Sequence, residues 1–328
     1  MKCVSPITIG KRNGKGVHVP CGTCLPCLRN KRRDWYFRLQ QEQKHSTNSY
    51  FLTLTYEEEE MPKIEGVPTL LKADVQKFIN SMRKAQERLW KKEIEKLENT
   101  AFIEKYITGR WKIRYFAVGE YGTKGDRPHY HICIFNVVPL VLDRVNEIWK
   151  KGFVHVGEVN FKSMKYATKY IIGGQEHFTL NEKDGRGSAK RETGSRSGKP
   201  NKPFSLMSHG DNETTGGIGY QYLTPQIIKH HREKAKNAKE EGQDYFPLVR
   251  SEEGYEMKMP MYYRNKIFQD DYKEYFQNSM LRIGDKIEND QWEEMYKIAG
   301  DQAEARTIER FENLNRRMLK RLKQQSKL

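Results

Sequence analysis

The sequence predicts an α+β fold, an antiparallel sheet flanked by helices, and three observations lead there. Short runs rich in β-branched and aromatic residues, SYFLTLTY (49–56), KIRYFAVGE (112–120), HYHICIFN (129–136) and FVHVGEVNF (153–161), are interleaved with helical patterns. The Gly- and Pro-containing stretch YGTKGDRP (121–128) joins the second and third runs tightly, which suits an antiparallel pair. In the third run both faces are largely apolar, as expected of a central strand covered on both sides.

Taken in order, the opening residues read as loop until CLPCLRNKRRDWYFRLQQEQK, a helix running to about residue 46. The first strand, 49–56, ends at the acidic run EEEEMP. A long charged helix is expected over 71–99, with Val75, Phe78, Ile79, Met82 and Leu89 as its apolar stripe. Strands 112–120 and 129–136 follow, then a helix over 140–152 stopped by Gly152. A fourth strand (153–161) leads into a helix over 162–174. Residues 181–203 hold almost no apolar side chains and read as a basic mobile loop. From Thr224 onward the pattern is mostly helical and charged. The expected organisation is therefore a Cys-rich segment (1–30), a catalytic core (31–180), a mobile basic loop with a Gly-rich segment (181–222) and a helical C-terminal extension (223–328).

Charge narrows the choice of partner. Lys and Arg number 59 against 43 Asp and Glu, a formal net charge of +16, which favours a polyanion such as nucleic acid. No apolar run approaches the ~18 residues of a membrane span, and MKCVSPITIG lacks the layout of a signal peptide. An intracellular protein with reduced thiols is expected, its five cysteines free or metal-bound.

The chemistry concentrates on a few residues. Side chains alternate along a strand, so His129 and His131 share one face. If 112–120 and 129–136 form a hairpin, Glu120 lies across from His129 at a Cβ separation of ~5 Å. Two imidazoles and a carboxylate leave coordination positions open, as a catalytic ion needs, and Mg²⁺, Mn²⁺ and Zn²⁺ all remain open. Asp126, in the turn, reads as a turn former rather than a ligand. In KYATKY, Tyr166 and Tyr170 lie four residues apart on one helical face beside Lys169. A helix folding back over the sheet would bring these phenols to the metal. That is a phosphoryl-transfer site: the ion withdraws charge from a phosphate and a phenolate attacks phosphorus.

FLTLTY, then RPHYHICIFN, then YATKY resembles the ordered motifs of two-tyrosine HUH endonucleases, in particular the replication initiators of small single-stranded DNA phages of the microvirus, gokushovirus-like type. The His-hydrophobic-His motif falls on His129 and His131, the two-tyrosine motif on Tyr166 and Tyr170 with Lys169 between them, and the further carboxylate on Glu120. The resemblance reaches from the cysteines to about residue 222. It implies rolling-circle initiation in the cytoplasm of a bacterial host, with nicking of a single-stranded origin, a 5′-phosphotyrosine and a primer 3′-hydroxyl. A host helicase and polymerase are implied as partners, and no G-x-x-x-x-G-K-[ST] loop is present to do the unwinding here. Two departures stand out. Leu28 follows the third clustered cysteine where the family has a basic residue, with Arg29 one position later. Ser208 is separated from GGIGYQYL by the insert HGDNETTG. The competing readings are a plasmid or element relaxase or transposase using the same site, and a non-catalytic zinc-stabilised regulator.

CGTCLPC places Cys21, Cys24 and Cys27 at regular spacing, and Cys3 completes four thiolates for a tetrahedral Zn²⁺, with His18 as a rival fourth ligand. Cys133, on an apolar strand, reads as a small buried residue. Arg29, Lys31, Arg32 and Arg33, next to Trp35 and Tyr36, are expected to grip phosphates and stack bases.

Overall fold

In a computed structural model, the described residues are 3, 7–12, 15–94, 111–122, 126–169, 201–210 and 216–269. They divide into two compact units, Arg38–Gln221 and a second made of Met1–Phe37 with Tyr222–Leu328. The boundary falls inside helix α1 (Leu25–His45).

The Arg38–Gln221 unit is built on a five-stranded sheet of β3 (Ser49–Thr55), β6 (Arg114–Tyr121), β7 (Pro128–Phe135), β8 (Val154–Glu158) and β9 (Phe204–Met207). Its order is β8-β3-β7-β6-β9 and every neighbouring pair is antiparallel. The central position of β7 explains why both its faces are apolar. One face packs Leu52, Leu54, Ala117, Tyr130, Ile132 and Ile134 against helix α2 (Lys72–Ile94), whose Val75, Phe78, Ile79 and Met82 are buried and whose Leu89 packs at the margin. The remaining small pairing, β4 (Lys63–Ile64) with β5 (Val67–Pro68), caps the loop between β3 and α2.

Where one helix was expected over 140–152, there are two short ones, α3 (Pro139–Leu142) and α4 (Val145–Trp149). Lys150, not Gly152, closes the second in a left-handed conformation (φ 57°). Gly152 has a different task. At φ 144° it presses on β3, where a Cβ would come 2.5 Å from the Thr55 carbonyl oxygen. Helix α5 (Phe161–Lys169) follows β8 and packs against β7 on the face opposite α2.

In the other unit, the expected opening loop instead holds a hairpin, β1 (Ile7–Arg12) with β2 (Lys15–Val19). The C-terminal region is less purely helical than its charge pattern suggests. Helix α6 (Pro225–Glu240), whose Thr224 accepts a capping hydrogen bond from Ile227 N–H, is followed by a hairpin of β10 (Leu248–Arg250) and β11 (Glu256–Lys258), then α7 (Met261–Ile267). Phe37, Ala235, Val249, Met257, Met259, Tyr263, Ile267 and Phe268 form its core. No helix among the described residues is long and apolar enough to cross a membrane.

Candidate functional site

Pairing decides which side chains meet. In the β6–β7 ladder Glu120 is directly opposite His129, and in the β3–β7 ladder Thr53 is opposite His131. Cross-strand partners share a face, so a carboxylate, two imidazoles and a threonine hydroxyl gather at one end of the sheet, opposite the α2 core. One Glu120 oxygen, Oε1, lies 2.7 Å from His129 Nε2 and 2.8 Å from His131 Nε2. The Tyr166 hydroxyl, reaching over from α5, donates to the same oxygen at 2.6 Å.

The outer ring nitrogens are also occupied. His129 Nδ1 is 3.1 Å from the Arg127 carbonyl oxygen, and His131 Nδ1 is 3.0 Å from Thr53 Oγ1. A carbonyl only accepts, so His129 Nδ1 carries a hydrogen there and neutral His129 keeps its lone pair at Nε2. That lone pair faces a carboxylate oxygen. Two acceptors at such a distance require a proton or a cation between them. The ligand atoms of Glu120, His129 and His131 all lie within 4.8 Å of one another, a mixed N/O set that fits a divalent ion. Thr53 and the Arg127 carbonyl then act as the outer partners that orient ligand imidazoles.

Electrostatics follow from burial and these bonds. Burial pushes the Glu120 carboxyl up, but hydrogen bonds from His129, His131 and Tyr166 outweigh it and hold the group at about 2. For Tyr166 all effects act together. Burial, the Glu120 hydrogen bond and the Glu120 charge each raise its phenol above the ordinary value. The phenol is nevertheless reachable, with 38% of Tyr166 exposed. Its ring meets His131 edge-on at 4.8 Å, and His131 stacks on Phe51 at 5.6 Å. Lys169, three residues after Tyr166, is half-buried at the end of α5. Tyr170 lies outside the described residues. Asp126 sits at φ 45°, the left-handed geometry of a turn, and Cys133 is fully buried.

The other unit holds a second ligand group. The sulfurs of Cys3, Cys21, Cys24 and Cys27 lie within 4.8 Å of one another, a donor set suited to Zn²⁺. Burial raises the Cys21 thiol, but hydrogen bonds from Thr23 and Cys24 prevail and bring it to about 6, favouring thiolate. Burial pushes Cys27 up. On the α1 segment that follows, Arg29 and Arg32 are half-buried, and Lys31 and Arg33 are exposed. Burial, then the neighbouring Arg29 charge, pull the Arg32 guanidinium below its usual value, a crowding of like charges that an anion would relieve.

Thr53 escaped the sequence reading, although FLTLTY contains it. So did the contacts of the Gly-rich segment. Arg38 donates to the Ile218 carbonyl at 2.9 Å, Gly219 N–H donates to Glu42 at 2.6 Å, and Arg114 bridges Glu42 and the Gly216 carbonyl. Glu42 and Arg114 are both buried.

Comparison with known proteins bears on the same part of the chain. Residues 49–175 match the family model for the replication-associated protein ORF2. Among curated proteins, the replication-associated protein ORF2 of Spiroplasma virus 4 is 31% identical over 169 residues, 46% of this chain and 47% of that protein. Replication-associated protein VP4 of Bdellovibrio phage phiMH2K is 27% identical over 46% of this chain and 47% of its own. Replication-associated protein ORF4 of Chlamydia phage 1 is 24% identical over 47% of this chain and 37% of its own. The matched region thus spans less than half of each relative's length. No solved structure matches the chain. β3, β6, β7, β8 and α5, the elements that carry Thr53, Glu120, the histidines and Tyr166, all fall within 49–175, and through that segment the chain belongs to the family of the replication-associated protein ORF2.

Proposed function

We propose that this protein starts rolling-circle replication of a single-stranded DNA phage by nicking the origin strand and holding its 5′ end covalently. The observation that carries this reading is the Tyr166 hydroxyl, 2.6 Å from the one carboxylate oxygen that both histidine Nε2 atoms face. Glu120, His129 and His131 would hold a divalent cation, Mg²⁺ or Mn²⁺ by the family resemblance. When bound, it supplies positive charge that polarises the scissile phosphate and favours the phenolate.

The chain's own residues do the rest. Tyr166 gives up its phenol proton, on the side where Glu120 now accepts it, and its oxygen attacks phosphorus. The bond from phosphorus to the 3′ oxygen breaks, that oxygen takes up a proton, and the 5′ phosphate stays on tyrosine. The free 3′-hydroxyl is a primer for a host polymerase, and a host helicase opens the duplex. Lys169, on the same face of α5, offers charge to the phosphate or the phenolate. Tyr170, one turn on, is the second nucleophile for the cut that ends a round while Tyr166 is still occupied. Cys3, Cys21, Cys24 and Cys27 hold a structural zinc, and Arg29, Lys31, Arg32 and Arg33 hold DNA phosphates. The protein acts in the cytoplasm of the bacterial host.

The test is incubation with a single-stranded origin oligonucleotide and Mn²⁺. A covalent protein–DNA band should appear, vanish in chelator, and vanish in His129→Ala. No band under any divalent ion rejects the reading. Elemental analysis should find about one zinc per chain, lost in Cys24→Ser.

A further inference from the structure

We infer that the edge strand β8 presents a base-stacking shelf, formed by Phe153 and His155, for the single-stranded DNA beside the scissile phosphate. The inference rests on the function proposed above and adds where the strand runs.

Register puts the shelf in line with the site. Glu120 pairs with His129 and His129 with Thr55, and Thr55 N–H donates to the Phe153 carbonyl at 2.9 Å. One row of the sheet therefore reads Glu120, His129, Thr55, Phe153. The next reads Val118, His131, Thr53, His155. Partners across a ladder share a face, so Phe153 and His155 stand on the face of the two site histidines. Their neighbour Val154 points the other way and is buried in the α2-side core. With strands ~4.8 Å apart, two steps put Phe153 about 10 Å from His129, within a nucleotide or two along a DNA strand.

An aromatic ring here needs a reason. Phe153 is 68% exposed, the largest value among the large apolar residues described in the Arg38–Gln221 unit, and His155 is exposed too. The position is held firmly. Gly152 lies tight against the Thr55 carbonyl, and the Phe153 carbonyl accepts from both Thr55 N–H and, at 3.2 Å, Thr55 Oγ1. The ring is thus presented from a fixed backbone rather than from a loose loop. The ground between shelf and site is low. Thr53 and Thr55 are short, and Gly157 has no side chain, so the His155 ring leans over it, with Nε2 3.9 Å from where a Cβ would be. Tyr166, His131 and Phe51 form a continuous run of rings leading from the nucleophile towards this strand.

The occupant follows from that continuity and from charge. A chain of formal charge +16, with Lys162, Lys165 and Lys169 on the helix that covers β7, selects a polyanion. Exposed rings select one with flat apolar faces between its charges, and unpaired bases supply these, whereas a duplex hides them.

The full-length protein, Phe153→Ala and Phe153→Trp are compared for binding of fluorescein-labelled oligo(dT) by anisotropy, and for Mn²⁺ affinity. Phe153→Ala should weaken oligo(dT) binding about tenfold with Mn²⁺ affinity unchanged. Phe153→Trp should bind as the parent does, with its indole emission quenched by the stacked base. Parent-like binding by Phe153→Ala, an indole emission indifferent to oligo(dT), or equal losses in DNA and Mn²⁺ binding would each overturn the shelf. An oligo(dT) response of this kind in a protein that forms no covalent origin adduct would leave the shelf standing and reject the nickase. Adduct formation without it would reject the shelf alone.

Discussion

Tyr130 and His131 are neighbours on β7, and their side chains enter two different environments. Tyr130 is buried on the α2 side. Its hydroxyl accepts from Leu71 N–H at 2.9 Å and meets Tyr56, which itself donates to Asp74 at 2.7 Å. That network is closed, each polar atom answered by another in the protein. Burial first, then the neighbouring Asp74 and Tyr121, push the Tyr130 phenol up, against opposing hydrogen bonds, to about 12. His131 faces the other way, into a group whose central carboxylate oxygen has three partners and still confronts imidazole lone pairs. Tyr166 there is raised as Tyr130 is, but it is partly open to solvent. Both faces bury polar groups beside aromatic rings. The α2 face spends them on stability, whereas the α5 face leaves charge for something else to neutralise.

The contrast can be broken in order of expected effect. Replacing Tyr166 and Tyr170 together by Phe removes both nucleophiles with little change in packing. No covalent adduct should form on a denaturing gel, while oligonucleotide binding persists; a surviving adduct would show that another residue attacks. Ile132→Ala, on the α2 face and fully buried, should cost about 2–5 kcal/mol in denaturant unfolding yet leave adduct formation per folded molecule intact. His131→Ala should show the reverse pattern. If both variants lose the same property, the two faces are not separable.

A smaller effect is expected from Thr53→Val, which keeps the shape of the side chain and deletes the His131 Nδ1 partner. Mn²⁺ affinity by titration calorimetry should fall about 10- to 100-fold, with Thr53→Ser restoring it. Equal affinity in all three would mean that Thr53 does not orient the imidazole. The smallest effect concerns pH. In metal-free protein the Glu120 carboxyl is held at about 2, below its ordinary 4.5. A carboxyl depressed in the folded state contributes stability that is present above about pH 4.5 and lost as pH falls towards 2. Thermal midpoints measured in chelator across that window should drop more steeply for the parent than for Glu120→Gln. Parallel curves would contradict the assignment.

Much of the α5 face was legible in the residues alone, because its logic is local. Alternation along β7 puts His129 and His131 together, and a tight connection puts Glu120 opposite them. The stripe on α2 was equally plain. Thr53 was not, since its role depends on the register between strands 78 residues apart, which periodicity does not encode. The β1–β2 hairpin hid for another reason: its strands are interrupted by Gly and Lys, so alternation is faint. The break between α3 and α4 at Asp143 and Arg144 was masked by an apolar spacing that suits one helix as well as two.

The Gly-rich segment carries a consequence for how such a chain tolerates change. Ser208 is tied to Tyr115, its N–H donating to the Tyr115 carbonyl at 2.9 Å and its hydroxyl accepting from Tyr115 N–H at 3.0 Å. Gly216 is tied to the adjacent residue, through Arg114, at 3.1 Å. The insert HGDNETTG therefore leaves β6 and returns to it at neighbouring residues, a closed excursion with both ends pinned. Loop-closure entropy rises only with the logarithm of length, about 0.6 kcal/mol for each doubling. Related sequences can lengthen or delete this stretch without disturbing the sheet, and an affinity tag or fluorophore placed there should leave the nucleophile and its ligands where they are.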